Sequence, residues 1–84
     1  KVEIGKVRDL EVDFIASKGN ERVYYQVSYM MGTEETRQRE FGVYHQIDDH
    51  YPKYVLSMDK VDFSQNGIIH KNVIDFLLES TMIE

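Results

Sequence analysis

The chain has 84 residues, 42% of them hydrophobic, and a formal net charge of −5, which is typical of one small globular domain with a modest core. The absence of cysteine excludes disulfides and thiolate metal sites and favours a cytoplasmic protein. No apolar run approaches the ~20 residues of a membrane-spanning helix, so no membrane partner is expected, and the acidic balance argues against a general electrostatic attachment to nucleic acid. Because the first residue, Lys1, is not an initiating methionine, we interpret residues 1–84 as one domain of a longer protein.

Three strands are predicted near the start of the chain. Spaced apolar residues indicate a first strand over residues 1–7. Residues 11–17 and 22–29 alternate between apolar and polar side chains, a period typical of strands with one buried face. Gly19 and Asn20 lie between these two runs and supply a turn that tolerates positive φ, so the runs predict a β-hairpin.

The alternation assigns each side chain of the hairpin to one face of the sheet. The apolar face is predicted to carry Val12, Phe14, Ala16, Val23, Tyr25, Val27 and Tyr29. Asp13, Gln26 and Ser28 point to the opposite face, where antiparallel pairing brings Asp13 close to the other two. Tyr24 shares their face, and we interpret it as a packing residue.

A helix is predicted after the hairpin. Thr33 is a suitable N-cap, and Glu34 and Glu35 place negative charge in the first turn, where it suits the helix dipole. The helix is expected to run to about Asp48, because the following Pro52 cannot continue it.

The end of the chain predicts two more strands and a second helix. Residues 53–59 are apolar on both faces, which is typical of a central strand reached through a helical crossover. Residues 68–71 form a short strand after a loop with the turn signal Asn66-Gly67. Asn72 caps the final helix. This helix is predicted to pack on the sheet through Val73, Phe76, Leu77 and Ile83.

Together these elements predict an α/β fold, a small mixed β-sheet with a hairpin, a crossover helix and a C-terminal helix. Apolar periodicity then nominates the residues of the core. The predicted core contains Val12, Phe14, Tyr25, Val27, Phe41, Tyr44, Val55, Leu56 and Phe76.

The hairpin carries a family resemblance. Its phrases Glu-Val-Asp-Phe and Gln-Val-Ser-Tyr resemble the Asp…Glu-x-Lys core of the restriction-endonuclease-like, or PD-(D/E)XK, fold. More narrowly, the chain resembles the C-terminal domain, of unknown function, of bacterial and archaeal AAA+ family ATPases. The matching phrases are residues 11–16, 24–29, 33–41, 51–59 and 66–78. The resemblance implies an ATPase region elsewhere in the polypeptide, and a first helix of the fold upstream of these residues.

The resemblance also implies a degenerate catalytic site. In the similar nucleases an Asp and the Glu of Glu-x-Lys hold Mg²⁺, and the Lys assists the attacking water. Asp13 matches the first acid, but Gln26 stands at the Glu position and Ser28 at the Lys position. Asp13 and Gln26 are therefore the candidate Mg²⁺ ligands, and Lys6, Lys18 or Arg22 would have to supply the missing cation.

Other functional candidates are few. Arg37 and Arg39, on the predicted helix, would contact nucleic-acid phosphate if they reach the same cleft, although their glutamate neighbours favour an exposed, salt-bridged face. His45 and His50 lack the spacing of paired metal ligands, and His70 is predicted to be structural. The sequence G-x-x-x-x-G-K-[ST] is absent, so any ATP site belongs to the implied ATPase region.

Three functions remain open at this point. The favoured one is a catalytically inactive nuclease-like domain that contacts DNA, another protein or its own ATPase region. The second is an active Mg²⁺-dependent nuclease with Asp13 at its centre. The third is a homo-oligomerisation domain in which the edge of the tyrosine-rich strand pairs with a second copy.

Overall fold

The computed structural model describes residues 2–7 and 10–82, with side chains from residue 12 to residue 79. These residues form the strands β1 (Val2–Val7), β2 (Leu10–Lys18), β3 (Glu21–Val27), β4 (Lys53–Ser57) and β5 (Ile69–Asn72), and the helices α1 (Glu34–Gly42) and α2 (Val73–Met82). A 3₁₀ turn at Tyr44–Gln46 follows α1. The predicted α/β class is confirmed, and neither helix has the length and hydrophobicity to cross a bilayer.

The strands lie in the sheet in chain order, β1 to β5. β1, β2 and β3 are antiparallel, whereas β4 runs parallel to both β3 and β5. The predicted hairpin, crossover helix and C-terminal helix are therefore present, and Gly19 adopts a φ of 61° in the hairpin turn. β3 has a partner on both sides, so the predicted pairing of its edge with a second copy is wrong.

The crossover helix is shorter than predicted. Thr33 caps it as expected, its Oγ1 accepting the Thr36 N–H at 3.2 Å. The helix ends at Gly42 and not near Asp48, because glycine and β-branched residues are weak helix formers. The 3₁₀ turn that follows directs Tyr44 and Ile47, three residues apart, to the same buried side.

The core lies between the sheet and α1. Its buried residues are Val12, Ile15, Tyr24, Met31, Phe41, Tyr44, Ile47, Val55 and Ile68. The predictions for Val12, Phe41, Tyr44, Val55 and Leu56 are confirmed as buried. The predictions for Phe14 and Val27 are wrong, because Phe14 is 41% exposed and Val27 is 42% exposed. Tyr25 and Phe76 are half-buried.

A β-bulge in β2 places Val12 and Phe14 on opposite faces of the sheet. Glu3 of β1 pairs with Ile15 of β2, whereas Gly5, two residues further on, pairs with Val12, three residues further back. One extra residue in β2 breaks the period of two. Val12 and Ile15 therefore both enter the core, while Phe14 stays beside Tyr25 on the opposite face. The predictions for Phe14 and Val27 fail because the core lies on the face of Ile15 and Tyr24.

The face opposite the core is only half covered. Asn72 caps α2 by accepting the N–H groups of Ile74 and Asp75, as predicted, and Phe76 packs on Tyr25 and Tyr54. Over β2 and β3 this leaves an open depression, here called the apolar trough, lined by Phe14, Ala16, Tyr25, Val27, Leu56 and Phe76. The predicted contact of Ile83 lies outside the described residues.

Candidate functional site

Asp13 and Gln26 lie next to each other on β2 and β3, as predicted. The backbone N–H of Asp13 donates to Oε1 of Gln26 at 2.8 Å. The backbone N–H of Val27 donates to Oδ2 of Asp13 at 2.9 Å. Each side chain therefore binds the other strand's backbone, and we call this pair of hydrogen bonds the Asp13–Gln26 clamp.

The clamp occupies the point where regular strand pairing stops. Backbone pairing between β2 and β3 runs from Lys18 and Glu21 to Phe14 and Tyr25. The next step falls on the bulge, where the two side chains accept the N–H groups that the ladder no longer pairs. Gln26 is 5% exposed, so its amide acts in a largely desolvated position.

Ser28, which stands at the Lys position of the resemblance, carries no charge and is bonded within the sheet and the following turn. Its backbone N–H continues the sheet by donating to the carbonyl of Leu56 at 2.9 Å, and its hydroxyl lies 3.4 Å from the carbonyl of Met30. Arg22 lies near the hydroxyl of Tyr24, towards the hairpin turn, and the side chain of Lys6 is outside the described part. Among the side chains of residues 12–79, no lysine or arginine forms a salt bridge with Asp13.

Glu40 lies close to Asp13, which sequence reasoning missed. Burial raises the pKa of Glu40, and the negative charge of Asp13 raises it further, while Arg39 partly offsets both. The carboxylate of Asp13 also acts on Tyr44, whose pKa is raised mainly by burial and next by the charge of Asp13. The signal was available, because Glu40 stands four residues before the predicted core residue Tyr44 and thus on the same helix face.

The arrangement fits a divalent cation poorly. Mg²⁺ prefers charged oxygens, and Gln26 contributes a neutral amide. A cation would also compete with the N–H groups of Asp13 and Val27 for the oxygen atoms that form the clamp. Within the part of the chain that the structure describes, no three His, Asp or Glu side chains gather as a set of metal ligands.

The two candidate phosphate ligands have different surroundings. Arg37 donates to the carbonyl of Met31 at 2.8 Å, and its guanidinium lies 4.6 Å from the centre of the Phe63 ring. Arg39 is exposed and pairs with Glu40, with Nε and Oε2 3.5 Å apart. Arg37 thus joins α1 to its neighbours, and Arg39 alone of the two projects into solvent.

A second polar cluster, formed by Tyr24, Asp49 and Lys53, lies at the start of β4 beside the core. Tyr24 is buried, and its hydroxyl donates to Asp49 at 2.6 Å, while Lys53 Nζ pairs with the same carboxylate at 2.8 Å. Burial alone would raise the pKa of Asp49, but the hydrogen bonds from Lys53 and Tyr24 outweigh it and lower the value. All these groups are mutually satisfied, so the cluster is structural.

A third polar cluster lies at the β5 edge, inside the core face. His70 is 4% exposed and sits 2.7 Å from the hydroxyl of Ser57, which donates to Asp59 at 2.7 Å. Burial would raise the pKa of Asp59, but hydrogen bonds from Ser57 and the Met31 N–H lower it. In a nucleophilic triad the serine hydroxyl donates to the histidine, and the histidine donates to the carboxylate. Here the hydroxyl of Ser57 donates to Asp59 instead, so the three residues do not form such a triad.

His45 and His50 lie on the surface, apart from these clusters. Comparison with family models, curated proteins and solved structures gave no match. The family resemblance therefore remains a prediction from the sequence.

Proposed function

We propose that this chain is the C-terminal, catalytically inactive, nuclease-like domain of an AAA+ family ATPase, and that it serves as a protein-contact domain. One observation carries the proposal. The two residues that stand at the metal-ligand positions, Asp13 and Gln26, bind backbone N–H groups and seal an interrupted strand pair. A neutral amide and a serine replace the charge that metal-dependent hydrolysis needs.

A protein partner is better supported than DNA. The net charge is −5. Arg37 donates to the carbonyl of Met31 and lies over the ring of Phe63, so little positive charge on α1 remains to neutralise phosphate. The apolar trough offers the opposite chemistry, an open hydrophobic surface of the kind that protein interfaces use. The proposed partner is the ATPase region that the resemblance implies within the same polypeptide.

DNA contact is tested by measuring duplex affinity against salt concentration. The proposal predicts weak binding with a shallow salt dependence that Arg39→Ala leaves within twofold. A steep decline in affinity with salt, reduced by Arg39→Ala, would instead establish phosphate recognition.

The alternative of an active nuclease is tested with supercoiled plasmid and Mg²⁺ or Mn²⁺. The wild-type chain and Asp13→Asn should leave the plasmid equally intact, because the side chain of Asp13 binds the Val27 N–H of β3 and not a catalytic metal ion. Asn retains a side-chain oxygen that can accept the Val27 N–H, so this variant separates charge from structure. Metal-dependent nicking that Asp13→Asn abolishes would refute inactivity.

A further inference from the structure

The strongest unassigned feature is the hydrogen bonding of His70, which is independent of the function proposed above. The imidazole is almost fully buried on the edge strand β5, and both ring nitrogens have partners. Nδ1 accepts the backbone N–H of Phe63 at 3.1 Å. Nε2 lies 2.7 Å from the hydroxyl oxygen of Ser57.

These contacts determine where the imidazole proton lies. A backbone N–H can only donate, so Nδ1 must be unprotonated and Nε2 must carry the hydrogen. Nε2–H then donates to Ser57, whose own hydrogen goes to Oδ2 of Asp59. The complete chain of hydrogen bonds exists only with neutral His70.

His70 forms several of the contacts that hold residues 62–64 against the sheet. Besides the Phe63 N–H bond, the backbone N–H of His70 donates to Oγ of Ser64 at 2.8 Å. The ring of Phe63 packs on the imidazole with centroids 5.4 Å apart, lies 4.6 Å from the guanidinium of Arg37, and also packs against the hydrophobic core. A second proton on His70 would place Nδ1–H against the Phe63 N–H and remove one of these attachments.

We propose that His70 is an acid-sensitive latch, whose protonation releases residues 62–64 from the edge of the sheet while the remainder of the fold stays closed. Val61 and Asp62 line a cleft together with His70, Lys71, Asp75 and Glu79, and movement of the released segment would widen it.

The charges around His70 act in both directions. Burial lowers its pKa below the ordinary 6.5, and the carboxylates of Asp59 and Asp62, together with a hydrogen bond to the backbone of Val61, partly oppose that effect. Other charged residues of this region lie on the adjoining loop, β5, α2 and α1. They are Lys60, Lys71, Asp75, Glu79 and, behind the Phe63 ring, Arg37. The net lowering keeps the latch closed at neutral pH.

Amide hydrogen exchange followed by NMR tests the latch, with rates corrected for the intrinsic pH dependence of exchange. As the pH falls from the pKa of His70 in the released state to its pKa in the closed state, the Phe63 amide should lose about tenfold in protection per unit of pH. The Tyr25 amide, in the β2–β3 hairpin, should retain its protection over the same interval. A Phe63 protection factor that ignores pH through the titration of His70 would overturn the proposal.

Two variants and one spectrum complete the test. His70→Asn offers an amide oxygen near the Nδ1 position and does not titrate, so its Phe63 protection should be independent of pH. His50→Asn removes an exposed histidine and should retain the wild-type dependence. Because His70→Asn can impair folding, the ¹⁵N shifts of wild-type His70 give a direct check, and an Nδ1–H tautomer at neutral pH would also overturn the latch.

Discussion

At the scale of single residues, Asp13 and Gln26 act as structural groups of the sheet. Both are polar groups on a strand, and both accept a backbone N–H from the neighbouring strand at 2.8 and 2.9 Å. A buried N–H without an acceptor carries a desolvation cost, so the two side chains stabilise the bulge. We infer that this contribution to folding accounts for their positions without a metal.

The amide of Gln26 should therefore matter for stability. Gln26→Leu leaves the Asp13 N–H without its acceptor and should lower the free energy of unfolding by about 1–3 kcal/mol. Urea unfolding measures the change. Ser28→Ala, two residues further along the chain, is the control and is expected to lose less, because the Ser28 hydroxyl makes only a 3.4 Å contact with the carbonyl of Met30. Equal stability of wild type and Gln26→Leu would show that the clamp contributes nothing.

Asp49 should contribute to stability in a pH-dependent way. Its pKa is lowered in the folded state, because hydrogen bonds from Lys53 and Tyr24 outweigh burial. The folded state thus binds this proton less readily, so the contribution is complete above the unfolded pKa of about 3.9 and is lost as pH falls through the folded value. Unfolding measured between pH 6 and 2 should show a shallower acid decline in Asp49→Asn.

The neighbouring exposed residue provides the control for that comparison. Asp48→Asn removes the same charge without touching the Tyr24–Lys53 cluster, and should retain the wild-type decline. Identical acid profiles for Asp49→Asn and wild type would contradict the assignment.

At the scale of elements, the sequence predicts whatever depends on local chemistry. Thr33 and Asn72 cap their helices as expected, because N-capping needs only a side-chain oxygen and nearby N–H groups. Residues apolar on both faces likewise identified β4 as a central strand. Asp13 and Gln26 were placed together because antiparallel pairing follows from the hairpin turn.

The features that the sequence does not predict depend on contacts between distant segments. The bulge in β2 is defined by the register with β1, and nothing in residues 11–17 themselves marks it. It places Val12 on the face opposite Phe14, so an uninterrupted period of two wrongly puts both residues on one face. The proximity of Glu40 to Asp13 also depends on the crossover, although the four-residue spacing between Glu40 and Tyr44 indicates which helix face Glu40 occupies.

Arg37 and Arg39 should differ in their effect on stability. Arg37→Lys keeps the charge but loses the planar group that lies over Phe63, and should lower the free energy of unfolding by about 1 kcal/mol. Arg39→Lys is the matched control at an exposed position and should stay within about 0.5 kcal/mol of wild type. Thermal unfolding compares them, and an equal response would remove the structural role of Arg37.

At the scale of the whole molecule, the two faces of the sheet are unequally covered. α1 and the following turn close one face around Tyr24, Phe41 and Val55, each at most 1% exposed. On the other face, α2 leaves the apolar trough open. This asymmetry is the physical basis of the proposed contact function, because a large open apolar surface is typical of a binding surface or an aggregation-prone one.

A charge placed in the trough should therefore cost little stability. Val27→Lys should change the free energy of unfolding by no more than about 0.5 kcal/mol, because Val27 is 42% exposed, and should reduce the binding of a hydrophobic dye. Val55→Thr, on the neighbouring strand, is the control; it buries a hydroxyl at a fully buried position and should cost about 1–3 kcal/mol. Severe destabilisation by Val27→Lys would mean that the trough is part of the core.

Calorimetric titration of the wild-type chain and Asp13→Asn with Mn²⁺ tests most directly whether Asp13 and Gln26 act as structural groups. The account predicts no stoichiometric heat that depends on Asp13, since the clamp binds backbone N–H groups and contributes a single charge. One Mn²⁺ bound per chain with micromolar affinity, and lost in Asp13→Asn, would contradict it.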